Sequence, residues 1–256
     1  MRVLAIPSLL CIFLIVSCGG GNSKNSEAGL LSGNWQIGLT PSPPATGAPT
    51  ESGFLLQTGD SLTGQFVFAG LTRCTGLGSA QGTLSGNNVE IALTQTGQTV
   101  TLTGTAASDG STMGGTYAVL DAGCGNGTST GTWIANPVKP VAGTYLATFN
   151  SYTLGVYNFN VTVTQGTNLG ASVATLSGTA TSSNAHCGDN LTIAGVVGGT
   201  SIAFNFLTSD GTAVGQFTGT TSTGATTLTG TYDFLAQTNM ASCPAGDAGS
   251  ITLVQQ

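Results

Sequence analysis

The stretch NNVEIALTQTGQTVTLTG, residues 87–104, alternates apolar and polar side chains in two runs separated by a short break at Gly97. The apolar positions are Val89, Ile91 and Leu93 in the first run and Val100 and Leu102 in the second. A period of two residues is typical of a β-strand that buries one face and exposes the other to water. The stretch therefore predicts two neighbouring strands of a sheet.

The remainder of the chain after residue 29 has the same character. No window of a dozen residues there shows the apolar stripe of an amphipathic helix. The alternating runs are interrupted by hairpin-turn residues, because Asp, Asn and Gly tolerate a positive φ. Such breaks occur at Gly59-Asp60, Ser85-Gly-Asn-Asn88, Asp109-Gly110 and Asp210-Gly211. The sequence predicts an all-β protein.

The chain also contains two copies of one unit. The stretch GGTYAVLDAGC, residues 114–124, returns as TGTYDFLAQTNMASC, residues 229–243. When Cys74 is placed over Cys187, three alternating apolar positions of the two copies coincide without a gap: Val89, Ile91 and Leu93 fall on Ile202, Phe204 and Phe206. The duplication predicts two β domains, residues 30–135 and 141–256, joined by a short stiff linker at residues 136–140 that contains two prolines.

Copy one contains about eight alternating runs, which we expect to be strands. They cover residues 33–39, 52–58, 62–70, 79–85, 89–96, 99–107, 112–120 and 128–135. Most connections between them are short, so each strand is expected to pair with its neighbour in sequence, and eight such strands can close into a small barrel. The predicted fold class is two tandem antiparallel eight-stranded meander barrels. A pair of β-sandwich modules is the alternative.

The N-terminus predicts export. Arg2 precedes an apolar run over residues 3–16, which is long enough for a signal-peptide core and too short to span a membrane. The following Ile15-Val16-Ser17-Cys18 resembles the lipobox of bacterial lipoproteins, which implies a signal peptide over residues 1–18, acylation of Cys18 and a membrane anchor. Residue Gly19 is not the aspartate of an inner-membrane retention signal, which favours the outer membrane. An ordinary cleaved signal with a chance cysteine is the alternative.

Charge and composition exclude one class of partner. Residues 19–29 have the Gly, Ser and Asn content of a flexible tether. The whole chain has a formal net charge of −6, and removal of the leader with Arg2 makes it −7, because Lys24, Arg73 and Lys139 then face ten acids. Such a chain has few positive charges with which to bind phosphates, so a nucleic-acid partner is not expected.

The four cysteines that follow the anchor are expected to form disulfides. Cys74, Cys124, Cys187 and Cys243 form no C-x-x-C pair, and His186 is the single histidine, so a zinc site lacks ligands. Four cysteines in an oxidising compartment are more typical of two bridges, for which the sequence alone allows three connectivities. One bridge per copy follows from the duplication, which predicts Cys74–Cys124 and Cys187–Cys243.

Two short motifs show a resemblance to known barrels. Ser32-Gly-Asn-Trp35 resembles the G-x-W start, and Leu228-Thr-Gly-Thr-Tyr232 resembles the L-T-G-T-Y strands, of avidin-like and lipocalin-like proteins. The resemblance implies an eight-stranded barrel. The ring of tryptophans that grips biotin in avidins is not matched, because only Trp35 and Trp133 are present, and we expect these two rings to plug one end of the first barrel.

No catalytic, metal or cofactor site is expected. Gly127-Thr-Ser-Thr-Gly131 matches G-x-S-x-G, but the following residues 132–135 predict a strand where a nucleophile elbow needs a helix. His186 has no partner pattern, and Asp109, Asp189 and Asp210 lie at predicted turns, where the backbone favours aspartate. Glu90 is expected to face outward. The chain is interpreted as non-enzymatic.

Two functions fit these features. The first is a lipid-anchored cell-envelope protein of structural or surface-interaction type, with its partner in the envelope or at the cell surface. The alternative is a binding module that holds a small hydrophobic or amphipathic ligand in a barrel, under a loop at residues 40–49. Gly104 and Ala106 face inward and would either leave space or relieve strand curvature. The apolar run at residues 66–69 predicts a contact patch or burial between the barrels.

Overall fold

The computed structural model describes residues 30–43, 50–69, 76–121, 128–169, 173–182, 188, 190–236 and 246–256. Regular structure in these ranges consists of β-strands, which form two closed antiparallel barrels of eight strands each. No helix in the described ranges is long and apolar enough to cross a membrane. The predicted fold class is confirmed, as is the internal duplication.

Barrel 1 is a meander in which every strand pairs with its neighbours in sequence. Its strands are β1 (Gly33–Pro41), β2 (Thr50–Thr58), β3 (Ser61–Ala69), β4 (Gly76–Ser85), β5 (Asn88–Gln95), β6 (Gln98–Ala106), β7 (Met113–Asp121) and β8 (Ser129–Pro137). The predicted strands agree with these within a few residues. Strand β8 runs on through Asn136 and Pro137, which the sequence had suggested for the linker.

Barrel 2 repeats the same order. Its strands are β9 (Gly143–Ser151), β10 (Gly155–Leu169), β11 (Val173–Thr181), β12 (Asn190–Gly198), β13 (Ser201–Leu207), β14 (Ala213–Thr221), β15 (Thr227–Phe234) and β16 (Asp247–Gln255). Strand β10 is the longest and contains a bulge between Gln165 and Asn168. The duplicated sequence thus produces the same topology twice.

Each barrel closes through a pairing between its first and last strands. In barrel 1, Ile37 of β1 lies opposite Ala135 of β8. In barrel 2, Phe149 of β9 lies opposite Ile251 of β16. Closure leaves neither terminal strand with an unpaired edge along the paired segment, which removes the usual site of strand-to-strand aggregation.

The two ends of each barrel differ, and we name them here. The base is the end where the first strand begins and the last strand finishes, and the mouth is the opposite end. In barrel 1, Trp35 is buried near the base and Trp133 is buried at the middle of β8, and their indole nitrogens donate to the carbonyls of Leu31 at 2.9 Å and Thr103 at 3.2 Å. At the base of barrel 2, the Tyr145 hydroxyl donates to the Ala225 carbonyl at 2.9 Å. Both tryptophans are therefore buried, but Trp133 lies opposite Leu39 and Trp35 opposite Pro137, so the two rings do not share one position at the barrel end.

The barrels contact each other through a tight turn. Gly199 and Thr200 connect β12 to β13, and the Gly199 amide donates to Asn34 Oδ1 at 2.8 Å. The Thr200 hydroxyl donates to Ser52 Oγ at 2.9 Å. Phe54 lies opposite Asn34 on the outer face of barrel 1, and it is nevertheless only 1% exposed. The outer face of β1 and β2 is therefore covered at this junction.

Gly199 is required at the junction for two reasons. Its φ is +61°, where a side chain strains the backbone, and a Cβ would lie 2.2 Å from the Gly53 nitrogen of the other barrel. Gly86, in the turn between β4 and β5, has almost the same φ of +60° but open space around its Cβ position. Gly86 is therefore a matched control for the backbone effect alone.

We expect Gly199→Ala to separate the barrels while leaving each one folded. The Cβ would push β2 away and break the hydrogen bond to Asn34, so the amide at position 199 should exchange with solvent much faster. Gly86→Ala should cost only about 1 kcal/mol of local strain and leave that exchange rate unchanged. Amide hydrogen exchange measured by NMR checks both variants. Equal exchange at position 199 in the two variants would contradict the described junction.

Candidate functional site

The mouths of the two barrels hold buried acidic side chains, and the two acids differ in their surroundings. Asp247 is the first residue of β16 at the mouth of barrel 2, and it is 5% exposed. Glu51 is the second residue of β2 at the mouth of barrel 1, and it is 0% exposed. Burying a carboxyl group is unfavourable unless it is hydrogen-bonded, so both positions require an explanation.

Asp247 is surrounded by hydroxyl groups. Its Oδ2 accepts from the Tyr157 hydroxyl at 2.6 Å and from the Tyr232 hydroxyl at 2.7 Å. Its Oδ1 accepts from the Ser151 hydroxyl and, at 3.5 Å, from the Thr153 hydroxyl. These residues come from β9, the β9–β10 turn, β10 and β15, so the carboxylate ties four segments of the mouth together.

The two tyrosines of this network are held in their protonated form. Burial raises the pKa of both Tyr157 and Tyr232, and the hydrogen bonds to the neighbouring Asp247 carboxylate act in the same direction. For Tyr232 the hydrogen bond with Tyr157 partly opposes that rise. Neither phenol therefore loses its proton near neutral pH, and neither is suited to act as a base.

Aromatic rings fill the space beneath the network. The Phe149 ring stacks on Tyr157 with centroids 5.1 Å apart and meets Tyr232 edge-on at 4.7 Å. Further ring contacts continue through the interior, at 5.0 Å for Phe206 with Phe234 and at 4.6 Å for Phe204 with Phe217. Such pairs stabilise a core beyond the area that they bury. Barrel 2 is thus packed with rings and closed at its mouth by Asp247.

Glu51 lies in apolar surroundings. It is directly opposite Ile37 on β1 and Phe68 on β3, and both of these side chains belong to the core of barrel 1. Residues directly opposite in adjacent strands share a face, so Glu51 points inward. Neither carboxyl oxygen has a hydrogen-bond partner among the residues that the structure describes. Among the described residues the single Lys or Arg is Lys139, which lies in the linker.

Burial without a partner changes the ionisation of Glu51. Loss of solvation raises the pKa of this carboxyl to about 8 from an ordinary value of 4.5. The group is therefore mostly protonated at neutral pH, and it has one O–H donor and one acceptor available. An unsatisfied buried polar group typically costs about 1–3 kcal/mol of stability.

A second unpartnered group lies at the same mouth. Gln98 is the first residue of β6, and it alternates with Val100 and Leu102, whose side chains lie in the core. Its side chain is 3% exposed, and its amide nitrogen has no hydrogen-bond partner in the described part of the chain. Its Oε1 accepts from the amide of Gln95 at 3.5 Å. The mouth half of barrel 1 thus contains two unmatched hydrogen-bonding groups.

Several sequence-predicted site residues lie outside the described residues. These are Cys18 with the leader and tether, the disulfide cysteines Cys74, Cys124, Cys187 and Cys243, and the residues His186 and Asp189. The pairings Cys74–Cys124 and Cys187–Cys243 therefore remain predictions. Each of these four cysteines falls between two strands of its barrel. The described ends of those strands lie at the mouth, because alternate connections of a meander share one end.

The structure resolves three other expectations. Gly104 has the Gly114 carbonyl oxygen 2.0 Å from its Cβ position, so this glycine allows close strand approach and leaves no cavity. Residues 132–135, after the G-x-S-x-G match, are strand as predicted. Asp109 and Asp210 lie at turns, where their carboxylates accept backbone N–H bonds at 2.9 Å and 3.1 Å, and Glu90 is exposed.

The apolar run at residues 66–69 divides between two environments. Phe66 and Phe68 belong to the core of barrel 1. Val67 points outward and lines a groove of about 340 Å³ between the barrels, together with Leu77 of barrel 1 and Val196 and Ile202 of barrel 2. Val67 is half-buried in this groove, so the expected burial between the barrels is only partial.

Sequence reasoning missed Glu51 and Gln98, and it did not single out Asp247. In β2 the glutamate is one inward position among ordinary strand residues, and its burial depends on register with β1 and β3. Asp247 carries no local signal in the sequence, because its partners Ser151, Tyr157 and Tyr232 lie 15 to 96 residues away. Within the described ranges no group of three or more His, Cys, Asp or Glu side chains is placed to hold a metal ion.

Comparisons with known proteins give no family. No family model matches the chain, and no curated protein matches it. Among solved structures, kievitone hydratase from Nectria haematococca is similar over 93% of this chain and 93% of its own, at 11% identity and a TM-score of 0.26. A DUF3598-family protein of unknown function from Nostoc punctiforme is similar over 89% of this chain and 97% of its own, at 8% identity and a TM-score of 0.19. Neither similarity assigns a function.

We expect Asp247→Ala to destabilise barrel 2 by about 3 kcal/mol, because the buried hydroxyls of Tyr157 and Tyr232 lose their charged acceptor. Asp233→Ala, which removes an exposed carboxylate from β15, is the control and should have little effect. Hydrogen exchange resolved by peptide mass spectrometry separates the two barrels. Faster exchange in β9, β10, β15 and β16 is expected for Asp247→Ala alone, and unchanged protection there would refute the structural role.

We expect Glu51 to make stability fall as pH rises. The folded-state pKa of about 8 lies above the unfolded value of 4.5, so the folded protein binds more protons between these values. The free energy of unfolding should therefore decrease across this window, by up to about 5 kcal/mol in total.

Urea denaturation of Glu51→Gln at several pH values measures this effect. The variant should lack this loss and should be more stable than the wild type at pH 8.5. The control Glu90→Gln changes an exposed glutamate on β5 and should follow the wild-type pH profile. Identical profiles for the wild type and Glu51→Gln would show that Glu51 is not buried as described.

Proposed function

We propose that this chain is a non-enzymatic, lipid-anchored protein of the bacterial cell envelope, which acts as a structural or surface-interaction module. Acylation at Cys18 would hold it on the outer membrane. The two barrels would form a folded body at the end of the tether formed by residues 19–29.

The observation that carries this proposal is the packed interior of barrel 2. The rings beneath the Asp247 network occupy the place where a carrier barrel would hold its ligand. Phenols with raised pKa and a fully hydrogen-bonded carboxylate offer no acid–base pair for catalysis. For barrel 2, interaction with partners is therefore left to the outer surface.

The outer surface is rich in threonine, arranged in cross-strand rows. Four exposed threonines of barrel 1 lie directly opposite one another across adjacent strands: Thr103, Thr116, Thr132 and Thr40. Barrel 2 has a second such row of exposed residues: Thr144, Thr162, Thr179 and Thr192. These rows present regularly spaced hydroxyl groups with few charges. They suit a neutral polar partner, such as a glycan or another envelope protein.

The position of the tether agrees with anchoring from the base of barrel 1. The Leu31 amide donates to Gln57 Oε1 at 3.2 Å, and the Gln57 amide donates to Ser32 Oγ at 2.9 Å, so the chain enters at the base beside β2. Eleven residues, 19–29, lie between Cys18 and Leu30, and a tether of this length would reach about 20 Å. An anchor at Cys18 would then hold the base nearer to the membrane than the mouth.

We expect Cys18→Ser to abolish acylation and to release the protein from the membrane fraction. Serine has no sulfur atom with which to form the thioether to diacylglycerol. Cys11→Ser is the matched control, since Cys11 lies inside the predicted signal peptide and should leave acylation intact. Labelling with radioactive palmitate in the native host, followed by fractionation, checks both variants. Continued labelling of Cys18→Ser would exclude the proposed anchor.

A further inference from the structure

We propose that the mouth half of barrel 1 is a binding site for a small uncharged ligand that carries a carbonyl oxygen next to an N–H group, held by Glu51 and Gln98. This inference goes beyond the envelope role and does not depend on the anchor. Loss of acylation at Cys18 would leave it standing, and its failure would leave the anchor untouched.

The first argument is the position of the two unmatched groups. Glu51 begins β2 and Gln98 begins β6, and both strands start at the mouth. In a ring of eight strands β2 and β6 are four places apart, so the two side chains point inward from opposite walls. Both are nearly inaccessible to solvent, and the oxygens of Glu51 and the amide nitrogen of Gln98 lack hydrogen-bond partners within the described ranges.

The second argument comes from the duplicated barrel, which serves as an internal control. Phe159 occupies the position of Glu51 in barrel 2, because it lies opposite Ala147 as Glu51 lies opposite Ile37. The fold therefore does not require a polar residue there. At the mouth of barrel 2 the buried acid that the structure describes is Asp247, and both of its carboxyl oxygens accept hydrogen bonds.

Three inward side chains of barrel 1 are smaller than their counterparts in barrel 2, although Ile37, directly opposite Glu51, is larger than its counterpart Ala147. Leu39, Leu93 and Val119 replace Phe149, Phe206 and Phe234 at matching strand positions. The rings of Phe66 and Phe68 fill part of the space that these smaller side chains leave. They pack over Gly53 and Gly78, where a Cβ would lie about 2.5 Å from each ring. Barrel 1 thus lacks the continuous ring packing that fills barrel 2 at this level.

The chemistry of the two groups selects the ligand class. A protonated Glu51 donates one hydrogen bond and accepts another, and the free amide nitrogen of Gln98 only donates. A carbonyl oxygen accepts from both donors, and an adjacent N–H donates to the acceptor oxygen of Glu51. Amides and lactams match this pattern. An ammonium group does not, because it offers no acceptor to Gln98, and a charged ligand would also lose its solvation among apolar side chains.

The apolar neighbours define the rest of the ligand. Leu39, Phe68 and Val119 are buried and face the same interior. They suit a short aliphatic or ring portion attached to the amide. The expected ligand is therefore small and amphipathic, with one polar edge.

Titration of the ¹⁵N-labelled full-length protein with 2-piperidone, a six-membered lactam, tests the proposal. We expect saturable shifts of the Gln98 side-chain amide resonances. N-methyl-2-piperidone has the same ring and carbonyl but no N–H, and it should bind at least tenfold more weakly. Glu51→Gln, which keeps a neutral donor and acceptor, should retain binding, and the control Glu90→Gln should behave like the wild type.

Glu51→Leu should abolish binding and remain folded, because it replaces an unpartnered carboxyl with an apolar side chain. Three results would overturn the proposal. They are the absence of a saturable shift in the wild type, binding that Glu51→Leu leaves unchanged, and a crystal structure after soaking with 2-piperidone in which only ordered water contacts Glu51 and Gln98.

Discussion

The pairing of the first strand with the last is the constraint on which the rest of this structure depends. Once β1 pairs with β8, and β9 with β16, every inward side chain enters a closed space about one side-chain layer deep on each wall. A polar group that faces inward then has no access to bulk water through the wall. Closure thus explains why both base plugs are large aromatic rings bonded to backbone carbonyls, and why single acids inside the barrels have such large consequences.

The two copies meet this constraint in different ways. Barrel 2 surrounds its buried carboxylate with hydroxyl groups and fills the space below it with rings. Barrel 1 places Glu51 between Ile37 and Phe68, and no described residue hydrogen-bonds to its carboxyl group. Because the copies share topology and register, the difference arises from side-chain substitutions within one architecture. After duplication, one copy has a fully packed interior and the other has buried polar groups without partners among the described residues. A single barrel could not combine these two properties.

The sequence predicted the architecture because its signals are local. Three signals can be recognised without knowledge of distant contacts. They are the alternation at residues 89–93, turn residues such as Asp109-Gly110, and the repeat of residues 114–124 at residues 229–243. The burial of Glu51 and the partners of Asp247 could not be predicted, since they depend on which residues face one another across strands: Tyr157 is 90 residues from Asp247. The contact between Gly199 and barrel 1 could not be predicted either, because the sequence of a glycine-containing turn does not show whether another domain packs against it.

Barrel closure is tested most directly by solution NMR of the terminal strand pairs. Gly38 lies opposite Ile134 in barrel 1, and Thr148 lies opposite Thr252 in barrel 2. If both barrels are closed, nuclear Overhauser effects should connect the backbones of these pairs, and the amides of β1, β8, β9 and β16 should be as protected from exchange as those of β5 and β13. Rapid exchange along β1 and β8, with no cross-strand contact to Ile134, would indicate open sheets or a sandwich and would contradict the closed-barrel account.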